Sequence, residues 1–97
     1  MKIKPGCAQE YKKRHDEIWQ DLVKLHSEAG VSDYSIYLDE ETNIVFAFRK
    51  LIDHNTTNEL SNNPLIRKWW AYMKDLMDYN PDGTPWIVSL KEVFHMD

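Results

Sequence analysis

Apolar and polar positions recur with two different periods along the chain, and each period predicts a different element. From Ala8 to Ala29 the apolar residues return about every 3.6 positions, which predicts one long helix. Gly30 follows it, where a left-handed cap is favoured. A second helical repeat runs from Pro64 to Leu76, with proline at the first helical position. The pattern therefore predicts two main helices.

The stretch "DYSIYLDEETNIVFAFRKL" has the strict alternation of a β-hairpin. Tyr34, Ile36 and Leu38 share one side of the first strand, and "DEETN" supplies the turn. The following "IVFAFRKL" is β-branched and aromatic, as strands favour. We expect these two strands to pair as antiparallel neighbours.

Short segments at the two ends predict the outer strands. "MKIK" alternates and stops at the Pro5-Gly6 turn, and "WIVSLKEVFHMD" is predicted to be the last strand. If a bulge intervenes, the inward positions of this last strand are Val88, Leu90, Val93 and Met96.

The order strand, helix, strand, strand, helix, strand predicts an α+β fold of the ferredoxin-like βαββαβ type, an antiparallel sheet with helices on one face. Residues 1–97 are expected to form one domain, because this length leaves no room for a second core. Such a sheet leaves its other face uncovered. Two chains that stack these faces would form a dimeric α/β barrel, so we expect a homodimer.

Charge and hydropathy exclude several partners. The formal net charge is −4, which argues against a general nucleic-acid binder. The apolar runs are far too short to span a membrane, and the opening "MKIKPG" has no apolar leader. The single Cys7 cannot form an internal disulfide, which fits a reducing compartment. We therefore expect a cytoplasmic protein.

One group of residues is left as a candidate for chemistry, since no metal-ligand spacing, nucleophile motif or glycine-rich phosphate loop occurs. His15 lies in the apolar helix stripe, one turn after Tyr11. The pattern alone favours a structural, hydrogen-bonded His15. The functional alternative is a sugar pocket, because aromatic faces stack on sugar rings and imidazole exchanges protons near neutrality.

Longer strings resemble one known family. "KPGCAQEYKKRHDEIWQDL" resembles the opening signature of the L-rhamnose mutarotase family, and "DYSIYLDEETNIVFAF" resembles its central hairpin. "RKWWAYMKDLMDYNPDGTP" is similar to its tryptophan helix and turn, and "SLKEVFHMD" to its C-terminal strand. The resemblance covers nearly the whole chain, in order and with similar spacing.

The resemblance implies a homodimeric, ferredoxin-like α+β barrel that interconverts the α and β anomers of L-rhamnose in the cytoplasm, without metal or cofactor. It places the proton donor at His15. It also implies that the monosaccharide is bound by Tyr11, Tyr34, Trp69 and Trp70. Our hypothesis is that His15, as imidazolium, donates a proton to the ring oxygen. Tyr11, Tyr34 or a bound water would then remove the proton of the anomeric hydroxyl.

The chain departs from the family pattern at two places. Gln20 stands where the family usually has proline, so we expect a straighter helix around it. Met1 falls inside the usual first strand, so we expect a shortened strand or a start site placed late.

Other functions remain as alternatives. The chain could be a mutarotase of another 6-deoxy sugar such as L-fucose, since the sequence does not identify the residues that discriminate between such sugars. Dimeric ferredoxin-like barrels also include haem-degrading monooxygenases, an analogy that rests on the fold alone. The third alternative is a non-enzymatic sugar-binding module.

Overall fold

The computed structural model describes residues 1–97, and its helices pack on one face of an antiparallel hairpin. Its α+β architecture agrees with the prediction. The elements in chain order are α1 (Ala8–Asp16), α2 (Gln20–Glu28), β1 (Val31–Asp39), β2 (Ile44–Leu51), a 3₁₀ helix (Thr57–Asn62), α3 (Pro64–Met73) and a second 3₁₀ helix (Lys74–Leu76).

The prediction of one continuous helix from Ala8 to Ala29 is wrong, because the chain breaks between α1 and α2. Trp19 is extended, with ψ of 129°. The last turn of α1 is basic and the first turn of α2 carries Asp21. Both charges are favourable beside the helix dipoles at those ends, so two helix termini are stable here.

Gln20 is the first residue of α2. Proline is well tolerated at that position, and the residue before a proline prefers the extended conformation that Trp19 adopts. The break therefore forms with glutamine where the family usually has proline. The expectation of a straighter helix around Gln20 is wrong.

The predicted hairpin is confirmed. β1 and β2 pair antiparallel, with Ile36 opposite Ala47 and Leu38 opposite Val45. The register shifts between Ser32 and Ser35. Leu38 and Val45 turn towards the helices, and Val45 is fully buried. The opposite face of the hairpin leaves large side chains exposed: Tyr37, Phe46 and Phe48.

The two predicted outer strands differ from expectation. "MKIK" is reduced to single bridges, Lys2 with Ile44 and Ile3 with Met77, so Ile3 joins β2 to the segment after α3. Residues 86–97 form no strand. The backbone bonds to neighbouring segments end at Trp86, whose N–H donates to the Asp78 carbonyl. The predicted inward positions are wrong, since all of these side chains are exposed: Val88, Leu90, Val93 and Met96.

The core lies between the helices and the hairpin. Asn63 caps α3 as its Oδ1 accepts the Leu65 N–H at 2.8 Å, and Pro64 follows at the first helical position as predicted. None of the helices is long and apolar enough to cross a membrane. The most completely buried side chains are Ile3, Leu22 and Met73.

Candidate active site

Helix α1 presents a phenol and an imidazole as a stacked pair. The rings of Tyr11 and His15 lie 4.4 Å apart between centroids, with 29° between their planes. His15 Nδ1 lies 3.0 Å from the Tyr11 carbonyl oxygen. A carbonyl only accepts, so Nδ1 carries the proton. In the neutral ring, Nε2 is then left with a free lone pair.

Helix α3 brings an indole to the other side of the imidazole. Trp69 meets His15 edge-on, with 5.4 Å between ring centroids and 88° between planes. Trp69 is itself held by two further rings, Trp19 at 5.1 Å and Tyr72 at 5.8 Å. Pairs at such separations are favourable beyond the area they bury. We call this set the aromatic cluster: Tyr11, His15, Trp19, Trp69 and Tyr72.

Tyr34 lies apart from the rings of the aromatic cluster but on the same side of the sheet. Its side chain, on β1, is 45% exposed, and its ring meets the His26 ring edge-on at 6.1 Å. Desolvation by burial is the main cause of the raised pKa of Tyr11, and the phenols of Tyr34 and Tyr79 make smaller contributions. The structure thus places the Tyr34 ring against His26, without ring contact to His15.

Trp70 differs from its neighbour Trp69. Its half-buried ring lies 5.3 Å from the Arg67 guanidinium, and its carbonyl accepts the Tyr79 hydroxyl at 2.6 Å. It makes none of the ring contacts of the aromatic cluster. Of the residues predicted for the site, the structure therefore joins Tyr11, His15 and Trp69 directly.

Burial sets the charge states of these groups. Desolvation lowers the pKa of His15, against opposing contributions from its bond to the Tyr11 carbonyl and from Asp16. Desolvation also raises the pKa of Tyr11 and of Tyr34. At neutral pH the imidazole is therefore mostly neutral, and both phenols keep their protons and are able to donate hydrogen bonds.

Some members of the site were not identified from the sequence. Trp19 follows His15 by four positions and Tyr72 follows Trp69 by three, so helical spacing could have suggested both. Arg14 contacts the end of α3 across a separation of 58 residues. No local sequence pattern predicts a contact between residues so far apart in the chain.

Two surface concavities lie elsewhere. One, of about 620 Å³, is lined by residues that include Lys2, Lys74 and Trp86, and another, of about 220 Å³, by residues that include Leu25 and Thr56. Neither contains any of the predicted site residues. No group of three or more histidine, cysteine, aspartate or glutamate side chains is arranged to hold a metal ion.

The chain is similar along its whole length to known proteins. The model of the L-rhamnose mutarotase family matches residues 1–96. An L-rhamnose mutarotase of Flavobacterium johnsoniae is 55% identical over 97 residues, covering 100% of this chain and 91% of the relative. One from Bacteroides thetaiotaomicron is 53% identical, covering 100% and 93%.

A solved structure agrees with the sequence matches. The crystal structure of an L-rhamnose mutarotase from Formosa agariphila superposes with a TM-score of 0.92 at 46% identity, and covers 100% of this chain and 93% of that one. This likeness supports the ferredoxin-like assignment of the fold. On the extent and identity of these matches, the chain belongs to the L-rhamnose mutarotase family.

Proposed function

We propose that this protein interconverts the α and β anomers of L-rhamnose. The observation that carries the proposal is a half-buried histidine fixed between a phenol and an indole, in a chain of this family. The relatives named above favour this activity over haem degradation and over sugar binding without catalysis.

The reaction needs two proton movements. Opening the ring breaks the bond between C1 and the ring oxygen while the anomeric hydroxyl loses its proton and becomes the aldehyde oxygen. The ring oxygen gains a proton and becomes a hydroxyl. Rotation about C1–C2 followed by closure on the other face of the aldehyde reverses both transfers. No proton is consumed in a complete cycle.

We assign both transfers to Nε2 of His15. Because Nδ1 donates to the Tyr11 carbonyl and burial lowers the pKa, the resting imidazole offers a free lone pair at Nε2. Nε2 takes the anomeric proton and, as imidazolium, delivers it to the ring oxygen of the same carbon. A positioned acid–base group of this kind contributes about 10²–10⁴-fold.

The phenols then serve as hydrogen-bond donors. Burial raises the pKa of Tyr11 and Tyr34, so neither is a competent base at neutral pH. This disfavours the hypothesis that either tyrosine removes the anomeric proton. We propose that both donate to sugar oxygens, and that Trp69 and Trp70 offer apolar ring surface to the C–H groups of the sugar.

We also propose that the protein is a homodimer. The outer face of the hairpin exposes Tyr37, Phe46 and Phe48, and the C-terminal segment leaves Val93 89% and Phe94 78% exposed. Soluble monomers rarely leave large contiguous apolar patches open. Light scattering after size exclusion should give twice the chain mass, and F48D should shift it towards one chain mass. A wild-type monomer at micromolar concentration would refute the dimer.

A cytoplasmic location is part of the same proposal, supported by a lone cysteine that has no disulfide partner in this chain. Fractionation of the native host tests it. Recovery of the protein from a cell envelope or culture fluid would contradict it.

Saturation-transfer NMR tests the activity directly. Irradiating one anomeric proton of L-rhamnose should attenuate the signal of the other anomer when the protein is present, and dialysis against a chelator should leave the rate unchanged. Heat-denatured protein gives the uncatalysed rate as a control. A parallel series with L-fucose decides the sugar preference. Unchanged exchange for every sugar would overturn the proposal, and a Soret band on adding haemin would favour the haem alternative.

A further inference from the structure

Beside His15 on helix α1 stands a residue whose contacts reach across to α3. Arg14 Nη1 donates to the Tyr72 carbonyl at 2.6 Å and to Asp75 Oδ1 at 2.8 Å, and Nη2 donates to Asp75 Oδ2 at 3.2 Å. Nε donates to Glu10 at 3.0 Å. Only 13% of the Arg14 side chain is exposed. Its guanidinium is therefore held by four directed bonds on a largely covered side chain.

Each of these contacts suits a guanidinium. The Tyr72 carbonyl lies in the last turn of α3, where carbonyls lack helical donors and a positive charge is favourable. Asp75 accepts two parallel bonds, the geometry that arginine provides and lysine does not. The guanidinium carbon also lies 4.5 Å from the centre of the Tyr72 ring. The contact is more specific than an ordinary exposed ion pair, which contributes little.

The contacts of Arg14 continue into the aromatic cluster. Tyr72 lies 5.8 Å from Trp69, and Trp69 lies 5.4 Å from His15. His15 is also the next residue after Arg14 on α1. The imidazole and the indole thus sit on two helices that the same guanidinium joins.

We propose that Arg14 is a positioning residue of the mutarotase site, which holds α1 against the end of α3 and so fixes the spacing between His15 and Trp69. This inference rests on the proposed function for its kinetic consequence. Arg14 does not touch the sugar in this proposal. It acts through His15 and Trp69, and its loss should lower kcat more than it raises KM.

Helix α1 offers a matched control. Lys12 and Asp16 form an ion pair at 2.7 Å, with side chains 77% and 60% exposed. This pair joins two positions of α1 and does not reach α3. K12A removes a charged contact of the same helix without releasing α1 from α3.

The experiment compares R14A, R14K and K12A by saturation-transfer NMR, by circular dichroism and by the imidazole proton resonances of His15. Displacement of a reacting group by about 1 Å can cost about 10²-fold, so we expect R14A to lower kcat by at least about tenfold. R14K should recover part of that loss, because an ammonium keeps one charged contact. K12A should stay within about twofold of wild type, since exposed pairs contribute little.

The His15 resonances separate positioning from simple stabilisation. We expect them to shift in R14A, because the Trp69 ring moves relative to the imidazole, and to stay unchanged in K12A. A folded R14A with wild-type kcat, or with reduced kcat and unshifted His15 resonances, would overturn the proposal.

Two further controls keep the test decisive. If R14A fails to fold, D75A takes its place, because it leaves the contacts of Arg14 with Glu10 and Tyr72. Unchanged kcat and resonances in both D75A and R14K would then overturn the proposal. If wild type shows no exchange activity, the proposed function fails, but the His15 resonances still decide whether Arg14 fixes the imidazole.

Discussion

His15 and His26 each make the same kind of local hydrogen bond, but the side chains around them differ. Each Nδ1 lies close to the carbonyl one turn earlier, at 3.0 Å from Tyr11 and 2.9 Å from Leu22, and each side chain is half-buried. His15 is packed against the rings of Tyr11 and Trp69. The ring contact of His26 is the edge of Tyr34 at 6.1 Å.

The difference shows what separates His15 from a histidine that makes the same local hydrogen bond. The bond to the preceding carbonyl fixes the tautomer in both residues. The lowered pKa of His15 comes from the desolvation that its neighbours impose, and one of these neighbours is 54 positions away along the chain. The desolvation of this imidazole depends on which helix packs against it.

The largest effect is expected from removing the imidazole of His15, with removal of the imidazole of His26 as the comparison. H15A should lower the anomer exchange rate by about 10²-fold or more, because it removes the proposed proton carrier. H26A should retain most of the activity. Saturation-transfer NMR on both variants, at matched concentration and pH, measures the contrast. Comparable losses in the two variants would show that the environment of His15 confers no special role.

The second effect concerns the indole beside His15. W69A should lower the free energy of unfolding by about 3–5 kcal/mol, the usual cost of truncating a buried aromatic residue. Trp69 is 8% exposed and contacts several rings. W70A is the matched control and should cost less, since Trp70 is only half-buried. Urea unfolding at one temperature gives both values, and a larger loss in W70A would contradict the assignment.

The smallest effect is a pH dependence that arises from His15. Burial lowers its pKa below the usual 6.5, so the unfolded chain takes up the proton first as the pH falls. His15 therefore contributes stability that is present above pH 6.5 and is lost as the pH falls to its lowered pKa. The exchange rate should fall as the pH approaches the lowered pKa of His15, because Nε2 becomes protonated.

A variant isolates this contribution. The urea midpoints of wild type and H15Q should converge between pH 7.5 and pH 5, because glutamine has no proton to take up. The same comparison with H26Q tests whether the effect belongs to His15 alone. A difference between wild type and H15Q that stays constant with pH would argue against a lowered pKa.

The hairpin and the helix faces could be predicted because their patterns are local. Tyr34, Ile36 and Leu38 do alternate on β1, and Pro64 does begin α3. The sequence stretches that resemble the L-rhamnose mutarotase family also singled out the histidine that the structure places between Tyr11 and Trp69. Periodicity alone placed His15 in the apolar stripe and favoured a structural role for it.

The features that could not be predicted depend on distant contacts or on their absence. The apolar repeat of the sequence continues through the break at residues 17–19, so the pattern does not reveal the break. The contact between Arg14 and Asp75 joins residues 61 apart. The last segment alternates like a strand, but within one chain its backbone has no neighbouring strand to bond with.

The break between α1 and α2 also determines whether the candidate site can form outside the folded chain. Each helix is nine residues long, shorter than the length at which isolated helices become even marginally stable in water. Neither half is expected to persist as a free peptide, whatever its sequence preference. The stacked ring and imidazole of α1 therefore arise only with the assembled chain. Global unfolding is therefore expected to abolish the stacked pair of Tyr11 and His15 as well.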